Sequence, residues 1–290
     1  MGMSAEEQMV FVRDHLGPAL EDAGLQIRLL LLDYNWDLAN YSLSILADPV
    51  ANAYVSGTAF HCYAGDVDAQ TAVYNAYPDK GVWFTECSGG GWATDFGDNM
   101  TWNMQNLVIE NFRNYGKSLL LWNLALDEND GSQNGGCSNC RGVVTINQVT
   151  NSIDYNVEYY VLGHVTKFVD PGAYRIDSTP FMAADGPENV AFHNPDGSIV
   201  LIIHAEEAAT FDVSWQGQPI NYSLPAQGTV TFKWDGGSMP AADNVLQGFE
   251  AEGIYYDVWN TTNSSSNTAR FGTYSLQMVG GVDPWHTVAS

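Results

Sequence analysis

Four short apolar runs constrain this chain more than anything else in it. Each is broken at its C-terminal end by ionisable or aromatic residues, and a helical stretch separates it from the next. Leu25-Gln-Ile-Arg-Leu-Leu-Leu-Leu32 gives way to Asp33-Tyr34-Asn35-Trp36-Asp37, and Thr58-Ala-Phe60 to His61-Cys62-Tyr63. Val82-Trp83-Phe84-Thr85 ends on Glu86 and then on glycines, and Ser118-Leu-Leu-Leu121 ends on Trp122-Asn123. Runs of this length are strands rather than helices. Helical spacing fills the intervals: Ser4-Ala5-Glu6-Glu7 is a capping box, Met9, Val12, Leu16 and Leu20 follow on one face, and Gly24 closes the helix. Further helices are expected near residues 40–47, 68–76, 102–115 and 154–168. Strands alternating with helices in short units, with polar residues gathered at the strands' C-terminal ends, predict a parallel sheet and most economically a (β/α) barrel. A complete barrel needs twice the four units present. Residues 1–170 therefore read as the C-terminal half of a TIM (β/α)8 barrel.

After Gly172 the period changes to alternation with turn signals, as in Asn189-Val-Ala-Phe-His193 and Asn194-Pro-Asp-Gly197. Residues 171–235 are expected to form an antiparallel β-sandwich, so the fold class is α/β plus all-β. Asp235-Gly-Gly-Ser-Met-Pro240 marks a linker, 236–245, and 246–290 resembles the incomplete start of a carbohydrate-binding jelly roll.

Charge narrows the partners. Among 290 residues, 10 Lys and Arg face 34 Asp and Glu, a formal charge of −24, which repels nucleic acid and anionic membranes. Neutral ligands stay open, and the 9 Trp and 15 Tyr suit stacking on sugar faces as well as core filling. No apolar run approaches the roughly 20 residues of a membrane span, and Met1 to Gln8 has no secretory pattern. Of four cysteines, Cys137 and Cys140 in Gly135-Gly-Cys-Ser-Asn-Cys-Arg141-Gly142 read as a loop disulfide, with a redox pair as the alternative. Half a zinc site is disfavoured because nothing supplies the other ligands. A disulfide implies an oxidising compartment. Cys62 and Cys87 are expected to be free core thiols.

Aligning the four strands by their ends sets Asp33, His61, Glu86 and Trp122 around one rim. A carboxylate to attack or stabilise an oxocarbenium-like centre, groups for hydroxyls and an aromatic floor suit carbohydrate hydrolysis. The motifs Phe84-Thr-Glu86-Cys-Ser-Gly-Gly90, Ala59-Phe-His61-Cys-Tyr63, Trp122-Asn-Leu-Ala-Leu-Asp127 and Tyr159-Tyr-Val-Leu-Gly-His164-Val-Thr-Lys-Phe168 together resemble glycoside hydrolase family 30, the glucosylceramidase-like group. The resemblance implies a retaining β-glycosidase in which Glu86 is the nucleophile, and Asp33, His61, Tyr63 and Trp122 line the sugar subsite. It implies no metal or organic cofactor.

One departure stands out. The family's acid/base is the Glu of an Asn-Glu-Pro motif at the fourth strand, and no Asn-Glu-Pro occurs here. Glu6 and Glu7 are helix-start residues and poor substitutes. The chain is thus expected to be an N-terminally truncated fragment of a larger secreted enzyme, its acid/base lying outside it, and to have negligible glucosidase activity alone. Its substrate is a β-glucoside, glucan or glucosylceramide. A glucosylceramidase-like activity is favoured alongside endo-β-1,6-glucanase, over xylanase. A non-catalytic carbohydrate-binding or inert chain is the alternative, and oligomeric state is left open.

Overall fold

The computed structural model describes residues 2–180 and 186–236, and the backbone of 255–260, 267–271, 274–278 and 287–289. Its first unit combines Met1–Ser88 with Glu110–Trp122, and its second combines Gly89–Ile109 with Asn123–Ser290.

In the first unit the capping box forms. Ser4 Oγ accepts from the Glu7 backbone N–H, and Glu7 Oε2 accepts from the Ser4 N–H. Helix α1 (Ala5–Phe11) passes through a π-type segment, Val12–Leu16, into α2 (Gly17–Asp22). Strand β1 (Leu29–Asn35) is followed by helices α3 (Ala39–Leu46) and α4 (Pro49–Tyr54), then β2 (Val55–His61), α5 (Ala69–Ala76) and β3 (Gly81–Glu86). Helix α6 (Phe96–Asn103) and all but the last residue of a π-type segment, Met104–Glu110, belong to the second unit, and the chain returns to the first with α7 (Asn111–Arg113) and β4 (Gly116–Leu119). The four strands form one parallel sheet in the order β1-β2-β3-β4. Sequential parallel strands joined through helices are successive units of a partial (β/α) barrel. Leu31, Phe60, Val82 and Phe84 are almost wholly buried, as expected where a parallel sheet is covered on both faces. At Gly57 the backbones come so close that an added Cβ would lie 1.9 Å from the Gly81 carbonyl oxygen.

Three sequence expectations shift. The first apolar run starts late as a strand: Leu25 and Ile27 are exposed, and β1 runs through Asp33 to Asn35. Leu32 (φ 71°) and Asp33 (φ 51°) are left-handed and make a bulge against β2, which lets the strand continue past the polar residue. The helix expected at 102–115 begins at Phe96 because Asp95 caps it, Oδ1 accepting from the Asp98 N–H. The helix expected at 154–168 is α8 (Val157–Thr166), since Ser152–Tyr155 is drawn into a strand.

A buried polar chain braces the first unit. Trp36 Nε1 donates to Gln70 Oε1 (2.9 Å), and Gln70 Nε2 donates to Asn111 Oδ1 (3.1 Å). Asn111 Nδ2 reaches the Ser118 carbonyl (3.0 Å), and Ser118 Oγ reaches that of Phe84 (2.9 Å). With these partners the fully buried Gln70 and Asn111 avoid the cost of an unsatisfied amide, about 1–3 kcal/mol per group.

The second unit holds a small sheet of β5 (Ala125–Asp127), β6 (Val144–Asn147) and β7 (Ser152–Tyr155). Its sandwich strands are β8 (Tyr174–Ile176), β9 (Glu188–His193), β10 (Ile199–Ala205), β11 (Ala209–Trp215), β12 (Gln218–Leu224), β13 (Gly228–Trp234) and β14 (Tyr255–Asn260). One sheet runs β14-β13-β10-β9-β8, and β11-β12 is a hairpin. Buried and exposed residues alternate along β11, and Phe211, Val213 and Ile220 meet Ile203, Val230 and Phe232 in the core. Asn260 and Tyr255 mark the ends of a strand paired with β13, so chain beyond residue 245 joins this sheet. Strands β15 (Asn267–Phe271), β16 (Tyr274–Met278) and β17 (Thr287–Ala289) form a further sheet. The expected linker, 236–245, lies outside the described residues from 237 on.

Two histidines are buried here. His164 Nδ1 shares a hydrogen bond with Thr231 Oγ1 (2.8 Å), and His204 Nδ1 shares one with Thr229 Oγ1 (2.9 Å). Burial lowers the His204 pKa from 6.5 to about 4. Burial first, then the charges of His204 and Lys167, depress that of His164. At pH 5 the unfolded chain binds a proton at His204 that the folded chain excludes. Stability is therefore full above pH 6.5 and falls as pH drops from 6.5 toward 4. From pH 7 to pH 5, urea unfolding should show a loss of about 2 kcal/mol from His204, with His164 adding in the same direction.

Candidate active site

The C-terminal ends of β1, β2 and β3 supply the polar cluster. The ladder pairs Asn35 with His61 and His61 with Glu86, so the three strands end in step. Bulges present the side chains. In β1 the left-handed pair Leu32-Asp33 interrupts the ladder just before Tyr34, and in β3 Thr85 is the extra residue between the pairs Phe60–Phe84 and His61–Glu86. A left-handed non-glycine residue costs about 1–3 kcal/mol, strain of a kind that gathers at functional sites.

Asp33 Oδ1 is held twice, by His61 Nε2 (3.0 Å) and by the Thr85 hydroxyl (2.8 Å). His61 is almost buried, while Asp33 keeps 68% of its side chain exposed and so available to a ligand. The other ring nitrogen, His61 Nδ1, faces Glu86 Oε1 at 4.0 Å, beyond hydrogen-bond reach. Tyr63 donates its hydroxyl to Glu86 Oε1 (3.0 Å). Desolvation, followed by the Glu86 charge and this hydrogen bond, raises the Tyr63 pKa, so the phenol stays a donor. The Trp122 backbone N–H donates to the Cys87 carbonyl (2.8 Å), so the main chain of this 40%-exposed residue lies beside the end of β3.

Asp33, His61 and Thr85 thus form one hydrogen-bonded set and Tyr63 and Glu86 a second, and the two meet where His61 packs edge-on against the Tyr63 ring (centroids 6.1 Å apart) and faces Glu86 at 4.0 Å. Sequence reasoning missed Thr85 because a strand's period of two turns alternate side chains away from each other, and a bulge carries no periodic signal. It also missed that Cys62 and Cys87 are bonded to one another (Cα–Cα 5.4 Å). This corrects the expectation of free thiols: the parallel register puts the residues following His61 and Glu86 side by side.

In the second unit, Cys137 and Cys140 are also disulfide-bonded. Their loop fastens the glycines that follow Glu86 in sequence. Gly91 N–H donates to the Asn139 carbonyl, Arg141 N–H to that of Gly89, and Arg141 Nη1 to that of Ala93. Arg141 also grips Glu158, which is 2% exposed, through Nη2 (2.8 Å) and Nε (3.1 Å). A Cβ at Gly89 would fall 1.8 Å from Glu158 Oε1, so only glycine fits beside this pair.

Among the described residues no three His, Cys, Asp or Glu side chains are arranged to hold a metal, and no helix is long and apolar enough to cross a membrane. The cluster offers a carboxylate oriented by a phenol, hydroxyl-binding groups and an exposed aromatic ring.

Comparison with known proteins bears on the barrel fold that carries this cluster and on the sandwich that follows it in sequence. The model of the glycosyl hydrolase family 30 TIM-barrel domain matches residues 1–169, and that of the family's beta sandwich domain matches residues 172–232. Endo-1,6-beta-D-glucanase neg1 of Aspergillus fumigatus is 29% identical over 241 residues, 78% of this chain and 46% of that protein. Putative glucosylceramidase 2 of Caenorhabditis elegans is 32% identical over 213 residues, 70% of this chain and 41% of that protein. The solved structure of the endo-beta1,6-glucanase BT3312 is 32% identical with a TM-score of 0.73, over 79% of this chain and 53% of that one. The chain spans about half the length of the curated relatives it matches.

Proposed function

The chain belongs to glycosyl hydrolase family 30, and on that footing we propose that it carries the nucleophile side of a retaining β-glucosidase site. The observation that carries this is the Tyr63–Glu86 hydrogen bond at the end of β3. With Oε1 held by the phenol, Oε2 attacks the anomeric carbon, the aglycone oxygen departs, and a glucosyl ester forms on Glu86. Water then attacks the anomeric carbon from the face the aglycone left, opposite Glu86, and displaces the carboxylate, so the β-configuration is kept. Asp33, braced by His61 and Thr85, takes a sugar hydroxyl, and Trp122 stacks on the ring.

A retaining enzyme also needs a carboxylic acid about 5 to 5.5 Å from the nucleophile. No Asn-Glu-Pro occurs in the sequence, and the proton donor is proposed to lie outside these 290 residues. Polymeric β-1,6-glucan is the substrate we favour, because a formal charge of −24 suits a neutral polysaccharide better than an anionic lipid surface. Three relatives named as endo-1,6-beta-D-glucanases support it, and glucosylceramide is the second reading. Two disulfides support an oxidising, extracytosolic location.

Dinitrophenolate leaves without a proton, so 2,4-dinitrophenyl β-D-glucoside tests the nucleophile side alone. A burst approaching one dinitrophenolate per chain is expected, then a slow phase. Added azide, which needs no general base, should speed that phase and give β-glucosyl azide. Absence of a burst, or an α-azide as product, contradicts the proposal.

A further inference from the structure

Cys62 stands between His61 and Tyr63, and Cys87 directly follows Glu86. Their disulfide crosses from β2 to β3 immediately beyond the last ladder pair, His61–Glu86. The backbone on either side is used as well: Cys62 N–H donates to the Glu86 carbonyl (3.3 Å), and the Cys87 carbonyl accepts from the Trp122 N–H (2.8 Å). Cys87 is 3% exposed.

We propose that the Cys62–Cys87 disulfide is a positioning device for Glu86, holding the ends of β2 and β3 at the register in which the Tyr63 hydroxyl meets the nucleophilic carboxylate. The inference rests on the assignment of Glu86 above. Two features of the site leave the carboxylate in need of a further constraint. The ladder is already broken by the bulge at Thr85, one residue before Glu86, so regular pairing does not fix the carboxylate. The main-chain bond that carries the pairing past that bulge, from Cys62 to Glu86, is long at 3.3 Å. A covalent link between the residues flanking Tyr63 and Glu86 supplies the missing constraint. It acts through Glu86 and Tyr63, so Cys62 and Cys87 are positioning residues rather than catalytic ones. The bridge Cys137–Cys140 spans only three positions and lies in the other unit, so it serves as the internal control.

The test uses the Cys137→Ser/Cys140→Ser chain, in which Cys62–Cys87 is the remaining bridge, and the probe is 2,4-dinitrophenyl 2-deoxy-2-fluoro-β-D-glucoside. Saturation kinetics of dinitrophenolate release separate the maximal labelling rate from the half-saturating concentration. This variant should label like the parent chain. A small dithiol then passes two electrons and two protons to the Cys62 and Cys87 sulfurs, becoming a cyclic disulfide, and is removed before labelling. Misplacement by about 1 Å costs on the order of 10²-fold. The maximal rate should accordingly fall between about 10- and 100-fold, with half-saturation little changed and far-ultraviolet circular dichroism retained, and reoxidation should restore it. Cys62→Ser/Cys87→Ser should match the reduced chain and not recover. An unchanged rate after reduction overturns the proposal, as does a loss of dichroism alongside the rate, which would make the bridge a fold constraint. If the parent chain itself fails to label, the Glu86 assignment fails and the inference falls with it.

Discussion

Glu86→Gln is expected to abolish the dinitrophenolate burst and to lower its rate at least about 10³-fold, the scale of losing a group used in bond formation. Glutamine keeps the carbonyl oxygen that accepts from Tyr63, so the cluster should stay assembled while the attacking carboxylate is gone. Glu86→Ala sharpens the result. In the space vacated by the side chain, azide can displace dinitrophenolate directly and yield α-glucosyl azide in one inverting step. The parent chain should give the β-azide through two displacements. Opposite anomers from two chains differing at one residue would identify Glu86 as the group that bonds to the sugar. A residue serving only to pack β3 would change the yield but not the anomer.

The largest stability effect is expected at Arg141. Glu158 is 2% exposed, and the Arg141 guanidinium holds it through two nitrogens. Arg141→Ala strands that carboxylate and should cost about 3–5 kcal/mol in urea unfolding. Arg141→Lys should recover little, because an ammonium cannot make the two-pronged contact and also reach the Ala93 carbonyl. Adding Glu158→Gln to Arg141→Ala should recover part of the loss, since the uncompensated charge goes and only an amide remains to be satisfied. Equal stability of the two single variants and the double would contradict this account of the pair.

How much of this could be read from residues alone differs from place to place. Three of the parallel strands were legible as apolar runs, the mark of a sheet buried on both faces, whereas β4 forms two residues before the run Ser118–Leu121, with Leu120 exposed; among the sandwich strands β11 shows the clearest alternation. Strand ends were legible only to within a few residues. Asp33 belongs inside β1, since a left-handed bulge absorbs it, and no local pattern announces a left-handed Leu-Asp pair. The start of α1 is legible in its capping box at Ser4, whereas that of α6 rests on one capping carboxylate, Asp95, with no capping box to mark it. Long-range pairings were the least accessible. Cys62 and Cys87 are 25 residues apart, and only the ladder register makes them neighbours. The same holds for Gln70 with Asn111, and for Thr85 with Asp33.

The central claim is that Glu86 forms a covalent bond to the sugar. The direct measurement is peptide mapping by mass spectrometry after exposure to 2,4-dinitrophenyl 2-deoxy-2-fluoro-β-D-glucoside, whose fluorine slows hydrolysis of the ester. One fluoroglucosyl group on the peptide containing Glu86, with fragmentation placing it on that residue, is the predicted result. A label on Asp33 or any other side chain, or an unlabelled chain, would contradict it.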